Sequence, residues 1–192
     1  MRRLLLASSS SYRRELLSRL QVPFESSAPQ IDETAFPDEL PEQLVRRLAC
    51  EKAQALASYN HDHLIIGSDQ IAVLGQHILG KPHTLERATE QLKACSGNSV
   101  NFLTGLAVLD SKTEMTQVDC IKFTVHFRAL TDQQIERYLT TEQPFDCAGS
   151  FKAEGLGISL FRATEGSDVT SLIGLPLIRL VEMLNESGLE IP

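Results

Sequence analysis

Residues 8 to 14, Ser-Ser-Ser-Ser-Tyr-Arg-Arg, place four serine hydroxyls, a phenol ring and two guanidinium groups in one short segment. The apolar run Leu4 to Ala7 precedes them, and Leu16, Leu17 and Leu20 follow at helical spacing. This reads as a strand over about 3–7, a polar loop, and a helix over about 10–20. A helix start offers unpaired N–H groups and a positive dipole end, and arginine offers a fork that matches phosphate oxygens. The same residues also suit an ordinary serine N-cap followed by two solvated arginines. Phosphate binding is the reading that gives the cluster chemistry.

Other candidates lie farther along. Lys52 falls four residues after Leu48 in a helix whose apolar face is Leu44, Val45, Leu48, Ala49, Ala53 and Leu56. Helical geometry puts it on the edge of that face or within it. Either its stem snorkels to water or its ammonium points into a site that holds an anion. Asp69 follows the apolar run Leu64-Ile65-Ile66 and reads as the end of a strand, where ligands gather in α/β folds. A carboxylate there holds a metal, acts as a general base, or only caps a turn. Glu33 sits beside Asp32 in an acidic loop with Pro29, Pro37 and Pro41, and alone would be solvated. Lys81, between Gly80 and Pro82, is a cation on a constrained loop or an ordinary surface lysine. Lys152 and Glu154 occupy another Gly-flanked loop. His61-Asp62-His63 lacks further close ligands and does not suggest a metal centre. Neither GxSxG, HExxH nor GxxxxGK[ST] occurs.

The elements that must position these groups alternate. After a short edge strand at Val22-Pro23-Phe24, a helix is predicted over about 41–58, with Pro41 in its first turn. A buried strand at 64–66 ends at Gly67, and a hairpin joins 71–74 to 77–79 around Gly75-Gln76. A helix over 84–95 leads to two long strands, 99–109 and 115–128, the second with a possible register shift near Ile121-Lys122. A helix over 131–141, a glycine-bearing loop, a strand at Ile158–Phe161 and a last helix from Leu175 to Gly188 complete the chain. Hairpins and crossovers together predict an α/β fold with a mixed sheet.

Composition narrows the function. The 192 residues suit a single domain over 1–192, with room for two lobes and a real core. A net charge of −7 argues against nucleic-acid binding but not against a phosphorylated small molecule, which needs only local cations. Acids concentrate at Glu25, Asp32, Glu33, Asp38, Glu39 and Glu42, a stretch without Lys or Arg. Cys50, Cys95, Cys120 and Cys147 are widely spaced and read as reduced thiols. No signal peptide or membrane span is evident, so a cytoplasmic location and no membrane partner are expected.

Taken together, these segments resemble the Maf family of nucleotide pyrophosphatases. The resemblance is carried by Ala7 to Arg14, Asp32-Glu33-Thr34, Glu51-Lys52-Ala53, Gly67-Ser68-Asp69-Gln70, Gly80-Lys81-Pro82, Ser96-Gly97, Thr104-Gly105, Ala148 to Phe151 and Gly174-Leu175-Pro176. It spans nearly the whole chain. The family often has Pro at the position of Ser11, a small departure at a helix start. The resemblance implies a mixed, twisted α/β sheet flanked by helices, with two lobes around a nucleotide-binding cleft (Maf/ITPase-like), often as a homodimer. It implies a hydrolase acting on an acid anhydride, converting a nucleoside triphosphate to monophosphate and pyrophosphate with Mg²⁺ or Mn²⁺. By the same resemblance, Ser8, Ser10, Arg13 and Arg14 hold phosphates, and Lys52 and Lys81 neutralise them. Glu33 and Asp69 serve the metal, and Asp69 accepts the proton of the attacking water.

Tyr12, Gln70, Phe151 to Gly155 and Gly174 to Leu177 resemble the pattern of the subfamily that hydrolyses 7-methyl-GTP. A cationic 7-methylguanine stacked on Tyr12 gains a cation–π term, Glu154 suits the guanine N1–H and N2–H₂ edge, and Gln70 adds a second polar contact. Such an enzyme would remove modified nucleotides before their incorporation into nucleic acid. Two alternatives stand beside this one: the sibling activity on dTTP and UTP, and a non-catalytic nucleotide-binding regulator of septum formation.

Overall fold

A computed structural model describes residues 2–192. The fold is mixed α/β. Its elements are β1 (Arg3–Ala7), α1 (Ser11–Ser18), β2 (Glu25–Ser27), α2 (Pro41–Ala57), β3 (His63–Leu74), β4 (His77–Leu79), α3 (Leu85–Cys95), β5 (Ser99–Asp110), β6 (Met115–Phe127), α4 (Asp132–Glu142), β7 (Phe161–Glu165), α5 (Val169–Ile173) and α6 (Leu177–Glu186). Strands hydrogen-bond in the order β2-β1-β3-β5-β6-β7, with β4 paired to β3. The β1–β2 and β1–β3 pairs are parallel, whereas β3–β4 and β6–β7 are antiparallel.

The chain forms two compact units. The first comprises Met1–Gln70, Thr104–Ile121 and Asp168–Pro192. Here period-two alternation sorts side chains onto two faces. Leu4, Leu6, Leu64, Ile66, Leu106 and Val108 join Leu16 and Leu17 of α1 and Leu180, Met183 and Leu184 of α6 in one apolar cluster. Leu5, Ala7, Ile65 and Leu109 face the other way and pack with Ala53, Leu56 and Ala57 of α2. Both faces are covered, which is why β1 and the start of β3 read as unbroken apolar runs.

The second unit comprises Ile71–Leu103 and Lys122–Ser167. Its core includes Phe102, Phe127, Phe151 and Phe161, whose rings meet edge to face with centroids 5.0 to 5.7 Å apart. Phe123, Val125 and Phe127 are buried and alternate, as the pattern of β6 predicts.

Several expectations are corrected. The edge strand is Glu25–Ser27 and not Val22–Phe24, because Val22 and Phe24 pack against the apolar cluster before the ladder begins. β3 does not end at Gly67; it runs on to Leu74, since the polar side chains of Ser68 and Gln70 find buried partners. Asp69 is therefore inside a strand and not at its end. The expected strand at Ile158–Phe161 is a 3₁₀ turn over Leu156–Leu160, and β7 starts at Phe161. Gly157 lies so near the backbone of Lys152 that a Cβ there would come 2.2 Å from the Lys152 carbonyl oxygen, a fold-back rather than an extension. A register shift on the β6–β7 ladder lies between His126 and Phe127. The last helix lies within its expected span as α6, Leu177–Glu186, but a short helix that was not expected, α5, precedes it across Gly174 at φ 124°.

Candidate active site

The site of the first unit begins with two close approaches of backbone to backbone. A Cβ on Gly67 would come 2.0 Å from the carbonyl oxygen of Ala49, and one on Gly105 would come 2.0 Å from that of Val45. Glycine at these two positions lets α2 lie directly on β3 and β5. Asp69 is two residues beyond Gly67 and so on the same face of the strand. Lys52 is nearly one turn beyond Ala49. The two side chains meet: Lys52 Nζ is 2.6 Å from Asp69 Oδ1. Both are buried, with side-chain exposures of 7% and 10%. Of the two readings for Lys52, snorkelling is thereby excluded: its ammonium is a paired, buried charge.

Glu33 completes this cluster from the acidic loop. Its Oε1 is 2.8 Å from the same Lys52 Nζ, and at 60% side-chain exposure it lies at the mouth of the site. The loop is held by Arg47 of α2. Arg47 Nε and Nη2 donate to Glu39 Oε1 and Oε2 at 2.6 and 2.8 Å, Nη2 also donates to the Thr34 carbonyl, and Nη1 donates to Glu51. Its guanidinium carbon stacks 3.9 Å from the Phe36 ring centroid. The Arg47 hydrogen bonds hold the Glu39 carboxyl at about 2, below its ordinary value. Asp32 turns back to accept from Thr34 N at 2.9 Å, so of the Asp32-Glu33 pair Glu33 is the one that meets Lys52.

The loop between β1 and α1 supplies hydroxyls. Ser10 is the N-cap of α1 and accepts from Arg13 N at 3.3 Å. Ser10 N donates to Ser8 Oγ at 3.1 Å, and Ser8 is buried. Each hydroxyl accepts within the loop and keeps its own proton as a donor. Arg13 Nε donates to the Gly174 carbonyl at 2.8 Å, leaving the Nη1–Nη2 edge as the fork. Burial lowers the Arg13 pKa below its ordinary value, while Asp69 and Glu33 pull it back up. The guanidinium thus lies within the field of the carboxylate cluster. Arg14 is exposed on α1, and Tyr12 is half-buried in its first turn.

Gln70 faces opposite to Asp69. Its Nε2 donates to Ser171 O at 2.6 Å, to Leu172 O at 3.1 Å and to Thr104 Oγ1 at 3.1 Å. The amide donors of Gln70 are engaged with α5, so its acceptor oxygen is the end left for a ligand. Ser68 Oγ donates to the carbonyls of Gly105 and Gly174 at 2.9 and 3.0 Å. Sequence reasoning assigned no role to Ser68, Thr104, Ser171 or Asp168, and it overlooked Arg47. Asp168 before Val169 carries an N-cap signal, and Arg47 carries an i,i+4 pairing with Glu51; the other three carry no local signal.

Lys81 and Glu154 belong to the second unit. Lys81 is exposed beside buried Pro82. Glu154 is exposed in a turn held by Glu142, whose Oε2 accepts from Leu156 N at 2.7 Å while its backbone carbonyl accepts from Lys152 Nζ at 3.2 Å.

Two converging carboxylates are hard oxygen donors of the kind Mg²⁺ and Mn²⁺ take. Among the described residues no group of three or more His, Cys, Asp or Glu is poised around a metal. The donor set of Glu33 and Asp69 fits a divalent ion that completes its shell from phosphates and water. No helix is long and apolar enough to cross a membrane among the described residues.

Comparison with known proteins bears on this geometry. A family model described as Maf-like protein matches residues 3–187. A protein of Pseudomonas syringae pv. syringae named 7-methyl-GTP pyrophosphatase is 67% identical over 189 residues, covering 98% of each chain. Proteins of the same name from Pseudomonas aeruginosa and Nitrosococcus oceani are 64% and 55% identical, covering 98% and 96% of this chain and 98% and 93% of their own. The structure of the Staphylococcus aureus Ham1 protein aligns with a TM-score of 0.54 over 97% of this chain and 99% of its own, at 14% identity, a likeness of fold.

Proposed function

The chain belongs to the Maf-like protein family, and from that premise we propose that it is a nucleoside triphosphate pyrophosphatase that hydrolyses 7-methyl-GTP to 7-methyl-GMP and pyrophosphate. The observation that carries the hydrolytic reading is the buried Asp69–Lys52 pair with Glu33 at its mouth. The choice of nucleotide is supported by the name shared by relatives that match along nearly their whole length.

Phosphoryl chemistry depends on positioning and on neutralising charge more than on covalent help. Ser8 and Ser10 hydroxyls and the Arg13 fork bind phosphate oxygens, with Arg14 adding charge from the helix surface. Lys52 and Lys81 neutralise charge on the phosphates. Glu33 and Asp69 would hold a divalent ion, which when bound lends positive charge to the phosphates. Asp69 accepts a proton from the attacking water as oxygen bonds to phosphorus, and the bridging oxygen leaves with pyrophosphate. Tyr12 offers a face to the cationic base. Glu154 accepts from its N1–H and N2–H₂ edge, and Gln70 adds an acceptor oxygen. Removal of a methylated nucleotide before a polymerase can use it is the role such an activity serves.

The test is pyrophosphate release from 7-methyl-GTP, GTP, CTP, UTP and dTTP with Mg²⁺ or Mn²⁺. The highest kcat/KM is expected on 7-methyl-GTP. A preference for UTP and dTTP would overturn the base assignment and keep the chemistry. Binding with no pyrophosphate released from any of them would overturn the enzyme reading.

A further inference from the structure

Asp168 is 4% exposed, and its carboxylate joins two helix starts. Oδ1 accepts from Thr170 N and Thr170 Oγ1 at 2.8 and 2.5 Å, at the first turn of α5. Oδ2 accepts from Ile178 N at 2.9 Å, at the first turn of α6. Thr170 Oγ1 in turn accepts from Leu177 N at 2.8 Å. One buried carboxylate therefore closes the segment 168–178 at both ends.

Backbone carbonyls of the closed segment receive donors from the site. Gly174 O takes Arg13 Nε and Ser68 Oγ. Ser171 O takes Gln70 Nε2 and Thr104 Oγ1. Ser68 and Gln70 flank Asp69, so the segment fixes both the Arg13 fork and the piece of β3 that presents Asp69. Gly174 needs its φ of 124° to aim that carbonyl, and a Cβ there would sit 3.5 Å from Arg13 Nε. The turn is shaped around the guanidinium.

We propose that Asp168 is a positioning residue: it clamps the 168–178 segment so that the Gly174 carbonyl holds Arg13 with its Nη1–Nη2 edge toward the phosphates. The proposal rests on the reading of Arg13 as a phosphate-binding side chain. Asp168 touches no substrate. Its effect passes through the turn, and so it should act on binding through Arg13 more than on the proton transfer at Asp69.

Asp168→Ser separates the clamp from simple capping. Serine remains a good N-cap for α5 but cannot span to Ile178 N. Two readouts apply to wild type, D168S, R13A and the double variant. The first is hydrogen exchange of the Arg13 Nε–H followed by NMR, which needs no substrate. The second is KM and kcat for pyrophosphate release. In D168S the exchange should accelerate about tenfold or more, and KM should rise about tenfold with kcat changed by less than about threefold. In the R13A background D168S should add nothing further to KM. Unchanged Arg13 exchange in D168S overturns the proposal, as does an equal KM rise with and without Arg13. If wild type releases no pyrophosphate yet D168S still frees the Arg13 N–H, the enzyme reading falls and the clamp stands. Should D168S not fold, Asp168→Asn keeps the shape and the cap of α5 but can turn an amide donor toward Ile178 N in place of the accepting Oδ2, and it takes the same readouts.

Discussion

Gly67 lies against the backbone of α2 so closely that a β-carbon there would come 2.0 Å from the carbonyl oxygen of Ala49. That approach sets the height of α2 above the sheet, and with it the 2.6 Å contact between Lys52 and Asp69. The glycine is a spacer for the chemistry two residues away.

Gly67→Ala should therefore do more than weaken the fold. Forcing helix from strand costs about 3 kcal/mol by the usual scale of overpacking, measurable by urea unfolding. It should also pull Lys52 from Asp69, so that activity falls further than the folded fraction does. A variant with normal turnover per folded molecule would show that the spacing does not govern the site.

Asp69→Asn removes the proton acceptor while keeping shape. Turnover should fall about 1,000-fold, within the range for losing a general base. Nucleotide binding in the presence of the metal should persist in part, as followed by titration calorimetry. Retained turnover would take Asp69 out of the mechanism.

Glu33 is the exposed member of the carboxylate pair, so its loss should show in metal demand before it shows in fold. Chelation should abolish pyrophosphate release, with Mg²⁺ or Mn²⁺ restoring it. Glu33→Gln should raise the metal concentration for half-maximal rate by at least about tenfold and leave the thermal midpoint nearly unchanged. Equal metal dependence in wild type and variant would remove Glu33 from that role.

Glu154→Ala should lower the preference for 7-methyl-GTP over UTP by about tenfold, the scale of one hydrogen bond to a charged group. Turnover of CTP, UTP and dTTP, which lack that pair of donors, should change little. A uniform loss of kcat/KM across the panel would show that Glu154 does not read the base.

The Glu39–Arg47 pair gives a pH dependence of defined sign. Hydrogen bonds from Arg47 lower the Glu39 pKa from 4.5 to about 2 in the fold. Its contribution to stability is present above the unfolded value and is lost as pH falls through that interval. Glu39→Gln should be less stable than wild type near neutral pH, and the difference should shrink between about pH 4.5 and about 2. A difference that stays constant with pH would assign the effect to packing of the loop.

The sequence by itself determined the local units and the residue types. The apolar run Leu4–Ala7, the serine cap of α1, the proline start of α2 and the alternation of Phe123, Val125 and Phe127 are local patterns, and local patterns fix periodicity and caps. They also made the ordered set of polar segments legible as a Maf-like chain, later matched over residues 3–187. Tertiary structure decided which groups meet. The Lys52–Asp69 pair spans 17 positions and depends on two glycines that let backbones approach. That same packing carries β3 through Ser68-Asp69-Gln70, a polar run that ends a strand in isolation and continues one when each side chain has a partner. Asp168 reads as a cap in sequence, yet its second oxygen reaches Ile178. Such long-range pairings leave no mark in local periodicity, because their stabilisation comes from satisfying buried polar groups across the fold.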